Sequence, residues 1–276
     1  VAEYARLTRA DQVDPDRSRR GFVWNIHQNA SFTENTTLRA ERQLAGQLGD
    51  NEANTAALGT ALAPGTPGLT KRDPVRFEIP DVINLELTGK AESGDFIPDG
   101  PMPGLPGLRD GTTGVAVEIL TYLDLPAGVH TFVVNSDDGF LVTTGRARDV
   151  FAAQRAGGFE GGRGPADTAF RVRVDDAGVY PFRLLYEQGV GGGSLEWKVL
   201  RPDGKVVLVN DTASGGFAAY RAAAKPAGGM VVAVQPGPRS TDNLPDAAIG
   251  ATLESGASVI EPGSVEMWLD GSPLSL

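Results

Sequence analysis

Leu125-Pro126-Ala127-Gly128-Val129-His130-Thr131-Phe132-Val133-Val134-Asn135-Ser136-Asp137-Asp138-Gly139-Phe140 holds one strand between two turns. Pro126-Ala127-Gly128 is turn chemistry, because proline presets one backbone dihedral and glycine tolerates a positive one. From 129 to 134 the residues are β-branched or aromatic, which suits a pleated surface. Ser136-Asp137-Asp138-Gly139 then breaks the strand with side chains that bond their own backbone, before Phe140 and Val142 resume the alternation. Upstream, Val115, Val117 and Ile119 alternate in the same way. The pattern reads as three consecutive antiparallel strands.

Working outward, Phe22, Trp24 and Ile26 fall on one face of an earlier strand, with Val23, Asn25 and His27 on the other. Val75, Phe77 and Ile79 alternate again, as do Phe170, Val172 and Val174, and then Tyr180, Phe182, Leu184 and Tyr186. Leu195, Trp197 and Val199 lead through Pro202-Asp203-Gly204 into a hairpin strand over 206–209. Short strands of this spacing, with turn signals between them, predict an all-β fold, an antiparallel β-sandwich. One helix interrupts it near 36–48, where Leu38, Leu44, Ala45 and Leu48 recur at helical spacing, Asn35 or Thr36 stands to cap, and Gly49 stands to stop. Loops over 59–74 and 94–114 are long enough to be functional or mobile.

Residues 1–19 are polar and contain Pro15, so they read as a lead-in or linker, and 20–224 as the sandwich. After Lys225-Pro226-Ala227-Gly228 the composition shifts, and 225–276 offers three short strands over 230–234, 249–253 and 265–269. That is about half of the roughly 100 residues of an immunoglobulin-type sandwich, so this stretch is expected to be a partial domain. Trp24 and Trp197 sit in phase with core positions; Trp268 is out of phase with Val265, Met267 and Leu269 and is expected at the surface.

Composition narrows the function. A formal charge of −10 repels phosphate backbones and anionic lipid headgroups, which argues against nucleic acid as a partner. With no cysteine there is neither a disulfide frame nor a thiolate metal site. No apolar run approaches the roughly 18–20 residues of a membrane span. The N-terminus shows no basic region followed by an apolar one, so any export signal is expected to have been removed, or the stretch to be internal.

The quoted stretch resembles the most characteristic segment of the protective-antigen-type β-sandwich domain, found in bacterial toxins, glycosidases and yeast flocculin adhesins. Tyr180-Pro181-Phe182-Arg183-Leu184-Leu185-Tyr186-Glu187-Gln188, with the glycines after it and Ser194-Leu195-Glu196-Trp197, resembles that domain's later hairpin. The resemblance covers about two thirds of the chain. It implies a β-sandwich that is lectin-like in some members and purely structural in others, carried on large exported multidomain proteins of environmental bacteria. In flocculin-type relatives two adjacent aspartates joined by a cis peptide hold a calcium ion that coordinates sugar hydroxyls. The matching positions are Asp137 and Asp138, and paired carboxylates suit calcium's demand for hard oxygens. A second loop in those lectins adds a side-chain amide and carbonyls. Here 189–194 offers the carbonyls of Gly191, Gly192 and Gly193 and the Ser194 hydroxyl, but no Asn or Asp.

Two readings stand side by side. Asp137, Asp138, Gly191, Gly192, Gly193 and Ser194 form a calcium-dependent glycan site, or the acidic turn is structural, its carboxylates capping nearby amides. The segment Val265-Glu266-Met267-Trp268-Leu269-Asp270-Gly271 resembles the opening of bacterial immunoglobulin-like stalk repeats.

Catalysis finds no support. His27 and His130 are lone strand residues without ligand spacing. Glu118, Glu187 and Glu196 lie on or beside strands with nothing to single them out as an acid–base pair. The glycine run over 157–164 lacks the Lys-Ser/Thr ending of a phosphate cradle and reads as a mobile loop. Sequons occur at Asn29, Asn35 and Asn210. The expected function is a non-enzymatic extracellular binding or adhesion module, with glycan or neighbouring surface subunits as partners. The alternative is a structural subunit or spacer of a surface assembly, joined by strand addition at the half-sized C-terminal segment. An accessory module of a carbohydrate-active enzyme fits the same residues.

Overall fold

The computed structural model describes residues 5–56, 70–145, 149, 152–222, 230–236, 244, 246–255 and 259–274. The larger of its two compact units ends at Ala222 and is an all-β sandwich with one short helix. Its first sheet runs β1 (Ala5–Leu7), β10 (Ala166–Val174), β7 (Gly128–Asp137), β12 (Ser194–Leu200), β4 (Asn84–Glu86) and β5 (Gly100–Pro101), with β13 (Val206–Leu208) also on β12. The second runs β3 (Val75–Ile79), β2 (Phe22–Gln28), β6 (Val115–Leu125), β11 (Gly178–Gln188), β8 (Gly139–Gly145) and β9 (Ala153–Phe159), with β14 (Ala219–Arg221) also on β6.

The alternating residues meet between the sheets. Trp24, Phe132, Phe140, Phe182 and Trp197 are fully or almost fully buried. Ring centroids of Phe132 and Phe182 stand 5.7 Å apart, and those of Phe182 and Trp197 6.3 Å. Each such side chain contributes roughly 1.5–3 kcal/mol by leaving water. The 94–114 loop closes one end of this core: Met102 and Leu105 are buried, and the Trp24 indole donates to the Pro103 carbonyl at 3.0 Å.

Three expectations are corrected. The strands around the quoted stretch are not successive hairpins, because β6 and β8 belong to the second sheet while β7 pairs with β10 and β12 in the first. The chain crosses between sheets at the Ser-Asp-Asp-Gly break, and again between β11 and β12, since a local turn signal does not say which sheet receives the next strand. Residues 5–7, within the stretch read as lead-in, add a parallel edge strand to β10, with Leu7 fully buried. The helix, α1 (Thr37–Leu44), is where the sequence places it but shorter than 36–48, and of its two leucines only Leu44 packs on the sheet.

Thr36 caps α1 by accepting from the Arg39 amide at 3.1 Å, and the chain turns out at Gly46, whose φ is +70°. Arg39, Ala40 and Gln43 are the buried residues, whereas Leu38 is 51% exposed. The reason lies in the outer face of the second sheet, which offers α1 a small apolar patch of Ala116, Leu185 and the partly buried Leu141, against which Ala40 and Leu44 pack. Around that patch lie the buried Glu118, Arg183 and Glu187, and charged groups at such depth require charged partners. Arg39 meets Glu187 at 2.8 Å, and Arg183 bridges Glu41 and Glu118 at 2.6 and 2.7 Å.

The second, smaller unit holds two two-stranded sheets, β15 (Met230–Gln235) with β16 (Gly250–Glu254), and β17 (Met267–Leu269) with β18 (Ser272–Leu274). Asp270 and Gly271, both at positive φ, make the tight turn of the second hairpin, as their sequence signals. Trp268 is 58% exposed.

Candidate functional site

At one rim of the sandwich β7 ends, β8 begins, β11 ends and β12 begins, so the two aspartates and the glycine loop converge. Asp137 closes the first sheet directly opposite Ser194 in register, and Asp138 is the single residue between β7 and β8. The Asp137–Asp138 peptide is cis.

The two carboxylates have different surroundings. Asp138 is buried and accepts two backbone amides, from Arg163 at 2.9 Å and from Gly189 at 3.1 Å. Its carbonyl accepts the Ser136 hydroxyl at 2.7 Å, and the Tyr186 hydroxyl donates to the Asp137 carbonyl. Asp138 thus ties together the two loops that flank it. The Asp137 carboxylate reaches over Gly192, where an added Cβ would stand 3.3 Å from Oδ2. Burial, then the charge of Asp138 beside it, push the Asp137 carboxyl up to about 6, with the Arg163 guanidinium pulling the other way. A carboxylate destabilised by a like charge is what a bound cation relieves.

The 189–194 loop is committed in part. The buried Gln188 amide donates to the carbonyls of Gly191 at 3.4 Å and Gly192 at 3.2 Å, leaving each a second lone pair. Gly193 packs against Leu87 and the Tyr186 hydroxyl, and its carbonyl accepts from the Leu87 amide at 3.1 Å. The Ser194 hydroxyl is buried and pairs with that of Ser93 at 3.0 Å. The donor set of Asp137, Asp138 and the Gly191 and Gly192 carbonyls fits a hard cation such as calcium at the rim, with Ser194 supporting from behind. Among the described residues, no cluster of three or more His, Asp or Glu side chains could hold a metal ion, so a cation at this rim would need main-chain oxygens beside the two carboxylates.

Several residues of this site escaped the sequence reading. The glycine run read as a mobile loop supplies β9 up to Phe159, and the turn after it walls the acidic turn. The Arg163 guanidinium stacks over Phe159 at 4.1 Å and donates to the Ser136 carbonyl at 3.1 Å and hydroxyl at 2.7 Å. Asn35 lies against both walls: an added Cβ on Gly162 would come within 2.5 Å of its Nδ2, and one on Gly189 within 2.1 Å of its Oδ1. Behind the turn, burial pushes the Glu187 carboxyl up to about 7 although Arg39 opposes it. The spacing of glycines signals backbone freedom, not contact, so none of these roles shows in a linear pattern.

The remaining candidates are accounted for structurally. His27 is fully buried, and burial lowers it to about 4, so it is neutral. His130 bonds the Pro126 carbonyl at 2.7 Å. Glu118 and Glu187 serve the helix seat; Glu196 accepts the amides of Asp95 and Phe96 at 2.7 and 2.8 Å and faces the buried Lys198 ammonium at 3.1 Å. Asn29 and Asn210 are buried, and the Asn210 amide donates to the carbonyls of Pro80 and Asp81, so neither sequon presents a free acceptor.

No family model and no curated protein matches this sequence. Among solved structures, the chain is similar to the epithelial adhesin 9 A domain of Candida glabrata in complex with Galb1-3GlcNAc, at 12% identity and TM-score 0.48, covering 79% of this chain and 96% of that one. It is also similar to the PA14 sugar-binding domain of an RTX adhesin, at 13% identity and TM-score 0.43 over 69% and 94% of the two chains. The PA14 domain of the MpAFP antifreeze protein matches at 13% identity and TM-score 0.43 over 76% and 96%.

Proposed function

We propose that this chain is a non-catalytic, extracellular binding module of a larger exported protein, which takes up glycans through a calcium ion at the Asp137–Asp138 turn. The observation that carries the reading is the geometry of the turn: two adjacent carboxylates at one rim, Asp138 fixed by two backbone amides and Asp137 over Gly192, beside the glycine loop that follows β11. Asp137 and Asp138 hold the cation, helped by the carbonyls of Gly191 and Gly192. Calcium, when bound, supplies a hard centre whose open positions take adjacent sugar hydroxyls. The glycines on either side leave space for a ring, since a Cβ on Gly161, Gly164 or Gly191 would meet nothing within 4 Å.

The test is calorimetric titration of the whole chain with calcium at pH 7.5, followed by a panel of neutral mono- and disaccharides on the loaded protein. A one-site calcium isotherm that vanishes in Asp137→Asn, and sugar heats that vanish with chelator, are expected. A wild-type protein that takes up no calcium overturns the reading and leaves the acidic turn a structural cap.

The second unit favours a further role as an assembly element. Among the described residues its two-stranded sheets have unpaired edges, and Trp268, Leu269 and Val259 are 58%, 45% and 82% exposed. Light scattering across a concentration series checks this, and a monomer at every concentration removes it.

A further inference from the structure

Helix α1 touches both walls of the acidic turn. Both carboxylate oxygens of Glu160, at the start of the 160–165 turn, seat on the first residue of the helix: Oε1 accepts from the Thr37 amide and Oε2 from the Thr37 hydroxyl, each at 2.8 Å. Three residues further on, the Arg163 amide grips Asp138 Oδ1. On the other side, Arg39 of the same helix binds Glu187 at 2.8 Å and the Gln188 carbonyl at 3.3 Å. The next residue, Gly189, grips Asp138 Oδ2. Asn35, two residues before the helix, fills the space between Gly162 and Gly189. One short helix therefore stands behind both amides that fix the buried aspartate.

We infer that Glu160 is a positioning residue, and that α1 acts through it and Arg39 as a brace setting the separation of the two walls around Asp137. Helix, turn and strand end lie far apart in sequence, so the brace is purely tertiary. Glu160 is exposed and touches neither aspartate, and the helix-terminal contact draws on the affinity of a carboxylate for free amides there. Its functional consequence rests on the acidic turn being the binding site; its structural content does not.

The experiment separates the two. Amide hydrogen exchange of the full chain, read at Arg163 and Gly189 without added calcium, is compared among wild type, Glu160→Ala and Glu160→Gln. Alanine removes both bonds to Thr37. Glutamine keeps them, its carbonyl accepting from the Thr37 amide and its NH₂ donating to the hydroxyl. The Arg163 amide is expected to exchange about tenfold faster in Glu160→Ala and to recover in Glu160→Gln, with the melting temperature within about 2 °C of wild type in both. Equal exchange in wild type and Glu160→Ala, or a failure of Gln to rescue, overturns the brace. Calcium titration of the same proteins reads the functional arm, with affinity about tenfold weaker in Glu160→Ala alone. If wild type takes up no calcium while exchange follows the expected order, the binding reading falls and the brace stands.

Discussion

Arg39→Met puts the polar helix seat to its hardest test. Arg39 and Glu187 are 4% and 0% exposed in their side chains, and the guanidinium also serves the carbonyls of Glu34 at 2.7 Å and Val115 at 3.0 Å. Removing one member of such a pair leaves a buried charge without its partner, which costs about 3–5 kcal/mol. Glu187 has an escape, because its carboxyl already stands near 7 in the folded chain and protonates more readily still without Arg39. A carboxyl raised on folding stabilises the fold fully below its unfolded value, and that contribution is lost as pH rises through the folded one. In wild type the loss spans pH 4.5 to about 7 and totals on the order of 3 kcal/mol. In Arg39→Met the decline continues above pH 7, at up to about 1.4 kcal/mol per pH unit, where wild type has levelled off. Urea unfolding at pH 6, 7.5 and 9, followed by near-ultraviolet dichroism, should therefore show a destabilisation that grows with pH. The double variant Arg39→Met/Glu187→Met should recover most of it at pH 9. A gap below about 1 kcal/mol at pH 7.5, or one equal at pH 6 and 9, refutes the argument.

Three further outcomes are expected. Lys198→Met leaves the buried Glu196 without its ammonium and frees Asp95 and Asp167, which Lys198 holds at 2.5 and 2.7 Å. Thermal melts should show a loss of about 3 kcal/mol, and the 87–99 loop should become sensitive to limited proteolysis. Asp137→Asn removes a carboxylate whose raised value stabilises the fold below pH 3.8 and is lost as pH rises through about 6, so the variant should melt above wild type at pH 7.5, alike at pH 3.5, and take up no calcium. Gly189→Ala forces a Cβ to within 2.1 Å of Asn35 Oδ1 and 2.4 Å of the Thr33 carbonyl; it should lower the melting temperature and abolish the calcium response, as differential scanning fluorimetry with and without calcium would read.

How far the sequence reaches depends on whether a contact is local. Alternation identifies Trp24, Phe132, Phe182 and Trp197 as core because strand periodicity and burial on one face are the same fact. It leaves open which sheet a strand joins, since Pro-Ala-Gly or Asp-Ala-Gly fits a hairpin and a corner between sheets equally well. Helical spacing places Leu44 at the edge of the buried face of α1 but misplaces Leu38, because the partner surface, with Glu118, Arg183 and Glu187 buried at its outward positions, lies some 80 to 150 residues away in the chain. In the acidic turn the strand period reaches one residue of the pair and not the other. Phe132, Val134 and Ser136 point inward on β7, so Asp137, one step on, must face outward. Asp138 stands between β7 and β8, in neither strand, so no period assigns it; the Arg163 and Gly189 amides hold it in its buried place. The strand period thus reaches only the more open carboxylate, while the partners that bury Asp138 lie 25 and 51 residues away in the chain; a cation bound at this rim would meet Asp137 first, with Asp138 behind it.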